Sequence, residues 1–174
     1  RDMGMKVYVY NTPSNFKEIK AFILELAQVV GELEKGKQIV AEMDARIQKL
    51  QEKLGNIKEK RKVLFMHAFG AYYSPKGTFG DTCSLAGVED VTRSLNYSQP
   101  CTLSQETIVQ LNPDSFVIGD WNFDGEHSPD ALKEELLSNQ SYMTTNAGKN
   151  KSIIVIPSAH LLTCSQHFVL GVED

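Results

Sequence analysis

Apolar residues recur along this chain with two different periods, and the change from one period to the other predicts an α/β domain. In the first third, apolar residues return every three or four positions, which predicts two amphipathic helices. Asn15 has the position of a cap for the first helix, and the second series runs over residues 39–54. Gly31 and Gly36 predict a break between the two helices, and Gly55 predicts the end of the second.

Three later segments are apolar at every position. Residues 63–66, 116–118 and 153–156 are such runs, and each has the length of a strand. An uninterrupted apolar run is typical of a strand that is buried on both faces, as in a parallel sheet covered by helices. Residues 5–10 alternate instead and predict a further strand. Strands that alternate with helices indicate an α/β fold, here a three-layer lobe with a parallel sheet between helices.

The segment that starts at Thr102 combines a short helix, a stop and a buried strand. Thr102 and Gln105 have the spacing of a capping box, and the Asn-Pro-Asp sequence at residues 112–114 ends the helix. The strand at residues 116–118 comes next, and Trp121 lies just beyond its carboxyl end. Ligands of open α/β sheets bind at this edge, so Trp121 is a candidate ligand contact.

Shorter signals complete the predicted order of elements. Residues 69–80 are rich in glycine and aromatic residues and are predicted to form a loop, followed by a short helix at residues 81–87. Ser128 is the predicted cap of another helix, with Pro129 in its first turn. A final helix is predicted to begin near Ser165.

Composition and charge narrow the class of protein. With 174 residues, 41% hydrophobic and 23% charged, the chain has the balance of a folded domain. The net charge of −4 gives no basis for binding nucleic acid, and no apolar run approaches the roughly 20 residues of a membrane helix. Cys83, Cys101 and Cys164 lack zinc-site spacing and are interpreted as small buried residues, although a Cys83–Cys101 bridge stays open.

Four aromatic residues fall in loops that follow the carboxyl ends of predicted strands. They are Tyr72, Tyr73, Phe79 and Trp121. Aromatic side chains at this edge suit a large ligand with a flat or apolar face, although they also suit the role of covering the core of the lobe. Because adjacent residues often point in opposite directions, we expect only one of Tyr72 and Tyr73 to face the ligand.

Histidines are the candidate metal-binding side chains. His160 follows the last predicted strand, where it could act as an axial ligand to iron or cobalt, although a surface histidine is the more frequent case. His67, at the end of the first apolar strand, is expected to pack beneath the loop. His160, Cys164 and His167 are spaced by four and three residues, which leaves a zinc site on one helical face as a minor alternative.

Motifs for catalysis are missing from the sequence. There is no Gly-x-Ser-x-Gly, no Walker-type glycine-rich loop and no His-Glu-x-x-His. We therefore expect a protein that is not an enzyme and has no resident cofactor.

Five segments resemble one known family. Residues 103–118, L-S-Q-E-T-I-V-Q-L-N-P-D-S-F-V-I, resemble the s-x-E-x-I-x-x-x-N-P-D-x-I-I signature of solute-binding proteins that serve bacterial ABC importers of iron-siderophores, haem and cobalamin. G-T-F-G-D-T-C-S-L-A-G-V-E-D-V at residues 77–91 and A-G-K-N-K-S-I-I-V-I-P at residues 147–157 resemble later parts of the same proteins. Residues 4–20 and 26–44 resemble the end of the first lobe and the entry to the connecting helix.

The resemblance implies a domain organisation. Proteins of this family have two α/β lobes joined by a long helix, with the ligand between the lobes. On this basis residues 1–15 end an N-terminal lobe, residues 16–56 are the connecting helices, and residues 57–174 are the C-terminal lobe, truncated at its end.

The resemblance also implies a function and a location. The ligand is expected to be an iron complex, haem or cobalamin, and the partner an ABC permease in the membrane. Because the chain opens on Arg1 in the middle of a pattern, we interpret it as a fragment. The resemblance implies that a first lobe, a signal peptide and a lipid-anchor cysteine are missing from it. It also implies an extracytoplasmic protein, in the periplasm or lipid-anchored at the outer face of the cell membrane. The chain without its first lobe is expected to self-associate.

Two other functions fit parts of the pattern. A flavodoxin-like or Rossmann-like enzyme domain would bind a nucleotide at the strand ends, but it needs a phosphate-binding loop after Tyr10 or Met66, and residues 11–15 are a poor one. A binding module unrelated to transport, which grips a peptide or partner in the same groove, is the second alternative.

Overall fold

The helices and strands alternate through most of the chain, as the apolar pattern predicts. The computed structural model describes residue 4 and residues 7–120 and 128–174. In chain order the elements are α1 (Phe16–Val29), α2 (Leu33–Leu54), β1 (Lys62–His67), β2 (Gly70–Tyr73), α3 (Phe79–Leu85), β3 (Glu89–Asp90), β4 (Cys101–Thr102), α4 (Gln105–Leu111), β5 (Ser115–Gly119), α5 (Pro129–Ser138), α6 (Asn146–Lys149), β6 (Ile153–Ile156), α7 (Ser158–Leu161) and α8 (Phe168–Glu173), with 3₁₀ turns at Val91–Ser94 and Tyr142–Thr144.

The three apolar strands lie side by side in one sheet, as predicted. The strand order is β4-β2-β1-β5-β6, and β3 also pairs with β1. β1 runs parallel to β5, with Leu64 opposite Phe116, and β5 runs parallel to β6, with Val117 opposite Ile154. β2 turns back from β1 as an antiparallel neighbour. The predicted parallel sheet is therefore confirmed, and β2 is added to it as an antiparallel strand beside β1.

Each face of the sheet has its own core, because successive strand residues point to opposite faces. On one face, Leu64 and Phe116 pack with Ile108 of α4 and Leu136 of α5. The other face holds a cluster of Val63, Cys83, Val117, Ile156 and Leu161. The sheet is thus covered by helices on both sides at β1 and β5.

β6 is less covered than its apolar run predicts. Ile154 and Val155 are each 38% exposed, whereas Val117 in the neighbouring strand is 3% exposed. β6 is the last strand of the sheet within the described residues, and it has one paired neighbour there. The prediction of a strand buried on both faces is therefore wrong for β6, since that burial needs a covered position inside the sheet.

The first two helices form an antiparallel hairpin. Lys20 Nζ on α1 lies 2.6 Å from Asp44 Oδ1 on α2, and Ala27 contacts the start of α2 at Gly36. Residues 30–32 alone separate the helices. The predicted break that extends to Gly36 is wrong, because Gly36 lies inside α2 and allows close packing against Ala27.

α8 joins the hairpin to the α/β lobe. Phe168, Val169 and Val172 are buried in a cluster with Ile19 of α1 and Met43 of α2. A forked ion pair between Arg46 on α2 and Glu173 on α8 closes the edge of this cluster. The hairpin is therefore packed against the lobe through the C-terminal helix.

The N-terminal strand predicted over residues 5–10 is not formed where the structure describes it. Val7 to Tyr10 have no regular secondary structure and are exposed, and residues 5 and 6 lie outside the described residues. An alternating pattern becomes a strand only beside a hydrogen-bonding neighbour. Here the Tyr10 ring instead packs against Phe22 of α1, with 4.5 Å between ring centroids.

Three boundaries differ from the predictions for local reasons. Thr102 is part of β4, and Ser104 caps α4 by accepting a hydrogen bond from the Thr107 amide at 3.2 Å. The loop predicted over residues 69–80 contains β2, because its backbone pairs with β1 and β4. The last helix begins at Phe168, three residues after Ser165. The predicted Ser128 cap of α5 and Asn15 cap of α1 are confirmed.

Candidate ligand-binding cavity

An open cavity of about 450 Å³ lies at the carboxyl end of β1. Its walls come from four places: the end of β1, the β2 strand with the loop after it, the start of α3, and the segment after β3. Leu161 and Leu162, which follow β6, close one side. The cavity therefore lies at the edge of the sheet where α/β proteins bind ligands.

One wall of the cavity is aromatic. Phe65 of β1 lies between Phe79 and His67, with ring centroids 5.2 Å and 4.2 Å away. Phe79, a predicted site residue, is held there as the first residue of α3. Tilted aromatic rings of this kind offer a flat ligand both ring faces and ring edges.

Tyr72 and Tyr73 both line the cavity but differ in exposure. Tyr72 is 50% exposed, whereas Tyr73 is 6% exposed and donates a hydrogen bond from its hydroxyl to the Tyr97 carbonyl oxygen at 3.2 Å. Their side chains leave β2 in opposite directions, as the strand geometry requires. Tyr72 is the one available to a ligand, and Tyr73 belongs to the core beneath it.

Of the two candidate histidines, His67 lines the cavity and His160 does not. His67 is half-buried, and burial lowers its pKa below the ordinary value because it disfavours the charged ring. His160 is absent from the lining, although the next two residues are present. Its Nδ1 lies 2.6 Å from an Asp174 carboxylate oxygen at the surface.

Asp90 and Arg93 are polar groups of the cavity that the sequence reasoning missed. Asp90 Oδ1 accepts hydrogen bonds from the Thr92 amide at 3.0 Å and the Thr92 hydroxyl at 2.8 Å. Burial raises the pKa of the Asp90 carboxyl, and the two Thr92 bonds partly oppose this rise. The Asp-x-Thr spacing is the available signal, because Asp side chains often bond the backbone two residues ahead.

Trp121 lies outside the described residues, so its predicted place in the site remains a prediction. β5 ends at Gly119, two residues before it.

Metal-ligating side chains do not gather within the parts of the chain that the structure describes. No group of three or more His, Cys, Asp or Glu residues there could hold a metal ion, so the zinc alternative with His160, Cys164 and His167 is wrong. Cys164 instead lies with its Sγ 3.5 Å from the Pro13 carbonyl oxygen. All three cysteines are free, which rules out the Cys83–Cys101 bridge in this structure, and burial raises the pKa of Cys83.

Membrane insertion of a helix is not supported by the described part of the chain. Every helix there is too short or too polar to cross a bilayer.

An α/β lobe with an open aromatic cavity at its strand ends defines a ligand-binding protein. Residues 1–160 match the sequence pattern of the periplasmic binding proteins, and the chain therefore belongs to that family. No curated protein sequence matches it.

Solved structures of the family share the fold. A possible iron-binding periplasmic solute-binding protein from Staphylococcus epidermidis superposes with a TM-score of 0.80 at 18% identity, over 99% of this chain and 66% of that one. The periplasmic haem-binding protein HutB of Vibrio cholerae gives 0.80 at 20% identity, over 99% and 66%. A periplasmic binding protein from Veillonella parvula gives 0.78 at 18%, over 91% and 54%.

These comparisons bear on fold and class. The chain spans between about half and two thirds of the length of these structures, and the fold of a helix-flanked, parallel-rich sheet is confirmed. The family consists of binding proteins rather than enzymes, and it implies a location outside the cytoplasm.

Proposed function

We propose that this chain forms the C-terminal lobe and helical hairpin of a solute-binding protein that captures a metal complex and delivers it to an ABC permease. The complex is a ferric siderophore, haem or cobalamin, held between this lobe and a second one. Residues 1–15 would end that second lobe, and the hairpin would connect the two. The aromatic cavity at the carboxyl end of β1 is the observation that carries the proposal.

The cavity has the chemistry that such a ligand needs. A volume of about 450 Å³ lies within the range of small-molecule sites. It is open on one side, so it suits a ligand that is covered from the other side by another lobe. Phe79 and the exposed Tyr72 provide apolar faces for a macrocycle or an aryl group.

Several similar structures are named for ligands of this class. HutB is named a haem-binding protein, BhuT is described in complex with two haems, and a Saccharomonospora viridis protein belongs to a ferric hydroxamate transport system. At identities of 16–20% these names suggest probes to test and leave the choice among them to experiment.

Binding can be measured through tryptophan fluorescence, to which this chain contributes Trp121. In the full-length protein, haemin, ferrichrome, ferric enterobactin and cyanocobalamin would be titrated while intrinsic fluorescence and melting temperature are followed, with ATP and NAD as probes for the enzyme alternative. We expect one metal complex to raise the melting temperature and to quench Trp121. A shift with ATP or NAD, and none with a metal complex, would exclude the proposal.

Trp121 and the histidines have specific tests. Trp121→Ala should weaken affinity by about 1–3 kcal/mol, the scale of one buried aromatic contact.

For a haem or cobalt ligand, the visible absorption spectrum should change in whichever of His160→Ala and His67→Ala removes an axial ligand. His160 would have to leave Asp174 to reach the metal, whereas His67 already faces the cavity. Unchanged spectra in both variants would place the axial ligand elsewhere.

A further inference from the structure

Arg93 is the one lysine or arginine among the described residues that line the cavity. It lies in the 3₁₀ turn Val91–Ser94. Arg93 is exposed, whereas Asp90, the cap of the same turn, is 7% exposed. Val91, 2% exposed, anchors the turn in the core. The backbone from which Arg93 projects is therefore held by a buried apolar anchor and by the Asp90–Thr92 hydrogen bonds.

The Arg93 side chain packs directly against Gly80. A Cβ atom placed on Gly80 would collide with Nε, Cζ and Nη2 of Arg93, so the guanidinium occupies the space that any other residue would fill. Gly80 lies in the first turn of α3 and is itself buried. Its φ is not in the left-handed region, so close approach explains the glycine better than backbone conformation does.

The guanidinium has no ion-pair partner in the described parts of the chain. Asp90 is the carboxylate of the same wall, but it is recessed, and its Oδ1 already accepts two hydrogen bonds from Thr92. Burial raises the pKa of the Asp90 carboxyl, and the positive charge of Arg93 acts against this rise, so the two groups attract each other without forming an ion pair. A ligand that enters the cavity therefore meets a guanidinium that forms no ion pair with the described residues, beside aromatic walls.

We propose that Arg93, which packs against Gly80, is a specificity-determining residue. It selects metal complexes that carry an anionic oxygen group, such as a carboxylate or a catecholate. A planar guanidinium binds two oxygens of such a group at once, which gives direction as well as charge. Gly80 acts as a positioning residue, since its lack of a side chain leaves the space that the guanidinium occupies. This inference rests on the proposed capture of a metal complex in the same cavity.

Paired probes that differ in charge test the selection. In the full-length protein, dissociation constants would be measured for haemin against haemin dimethyl ester, and for anionic ferric enterobactin against neutral ferrichrome. Arg93→Gln should weaken the anionic member of the bound pair by about tenfold or more, with less than about a twofold effect on the neutral member. The selectivity of the wild type should also fall at high salt.

Matched variants separate charge from position. Gly80→Ala keeps the charge of Arg93 but fills the space that the guanidinium occupies, so it should reduce affinity for the anionic probe selectively. Lys60→Gln removes an equal charge before the opposite end of β1 and should leave the ratio of affinities unchanged. Arg93→Lys retains the charge without the fork and should fall between wild type and Arg93→Gln. Melting temperatures of all variants would show that the fold is retained.

The outcomes distinguish the two proposals. If the wild type binds none of the metal complexes, the proposed function fails and this inference fails with it. If a complex binds but Arg93→Gln weakens the anionic and neutral members equally, or weakens neither, the proposed function stands and the role of Arg93 is overturned.

Discussion

Gly36 of α2 packs directly against Ala27 of α1, so closely that a Cβ atom on Gly36 would lie 2.5 Å from the Ala27 Cβ. Non-bonded Cβ atoms do not approach to that distance. The missing side chain is therefore what lets the two helices of the hairpin come together at this point, and it explains a glycine inside a 22-residue helix.

Gly36→Ala should destabilise the protein even though alanine favours a helix. The gain in helix propensity is about 1 kcal/mol, and overpacking at a tight contact costs about 1–3 kcal/mol. We expect a lower urea midpoint in a denaturation experiment. The difference between Gln38→Gly and Gln38→Ala, at an exposed position of the same helix, provides the propensity baseline. A higher midpoint for Gly36→Ala than for wild type would show that the helices separate without cost.

Val117→Asp should prevent folding, whereas Ile154→Asp should be tolerated. The two residues are opposite each other on neighbouring strands, but Val117 is 3% exposed and Ile154 is 38% exposed. An unpaired buried carboxylate costs on the order of 3–5 kcal/mol, which is a large part of the stability of a typical domain. Circular dichroism melting curves of both variants would decide. Equal melting temperatures would mean that Val117 is no more buried than Ile154.

Tyr72 and Tyr73 should separate ligand binding from stability. Tyr72→Ala removes a half-exposed ring from the cavity, so affinity should fall while the melting temperature stays nearly constant. Tyr73→Ala removes a buried ring of the core and should cost about 3–5 kcal/mol of unfolding free energy. Chemical denaturation and ligand titration of both variants provide the test. The reverse pattern would exchange their roles.

Asp90 should make stability fall as the pH rises. Burial raises its folded-state pKa above the unfolded value of about 3.9, so the folded state binds the proton more tightly. The contribution of Asp90 to stability is therefore fully present below the unfolded pKa and is lost as the pH rises through the raised folded pKa. Asp90→Asn keeps the acceptor oxygen for Thr92 and removes the titration. The difference in urea midpoint between variant and wild type should grow from acid to neutral pH; a constant difference would contradict this account.

The 174-residue chain on its own should self-associate through its N-terminal surface. Val9 is 72% exposed and Val30 is 62% exposed, and Tyr10 and Val29 add further apolar area in the same part of the chain. Exposed apolar surface of this kind favours association. Light scattering should show dimers or larger species, reduced by Val9→Lys with Val30→Lys. Leu162→Lys, which removes an exposed apolar residue elsewhere, should have no such effect. A monomer at high concentration would contradict the prediction.

Local signals predict an element well where its partners are supplied by the same stretch of chain. The caps Asn15 and Ser128 bond amides three residues ahead, so their positions can be read from neighbouring residues. Thr102 shows the limit of this rule. Its capping-box spacing is correct, but its backbone pairs with Tyr72 in β4, and Ser104 caps the helix instead.

The candidate site also contains residues that the sequence could predict and residues that it could not. Tyr72, Tyr73 and Phe79 could be predicted because they follow a strand at the edge where α/β sheets bind ligands, and the structure brings all three to one cavity. His160 has the same kind of position in sequence, yet it lies outside the lining and beside Asp174. Position after a strand does not determine which way a short helix turns a side chain.

Contiguous residues were enough to predict the α/β class, the three apolar strands, the two N-terminal helices and the family, because apolar periodicity and short motifs are properties of neighbouring positions. The antiparallel hairpin, the addition of β2 to the sheet, the exposure of β6 at its edge and the packing of Arg93 on Gly80 emerge only from the folded structure. Each of these depends on which backbone pairs with which, and on contacts between residues far apart in the chain. Such contacts cannot be inferred from the pattern of neighbouring residues alone.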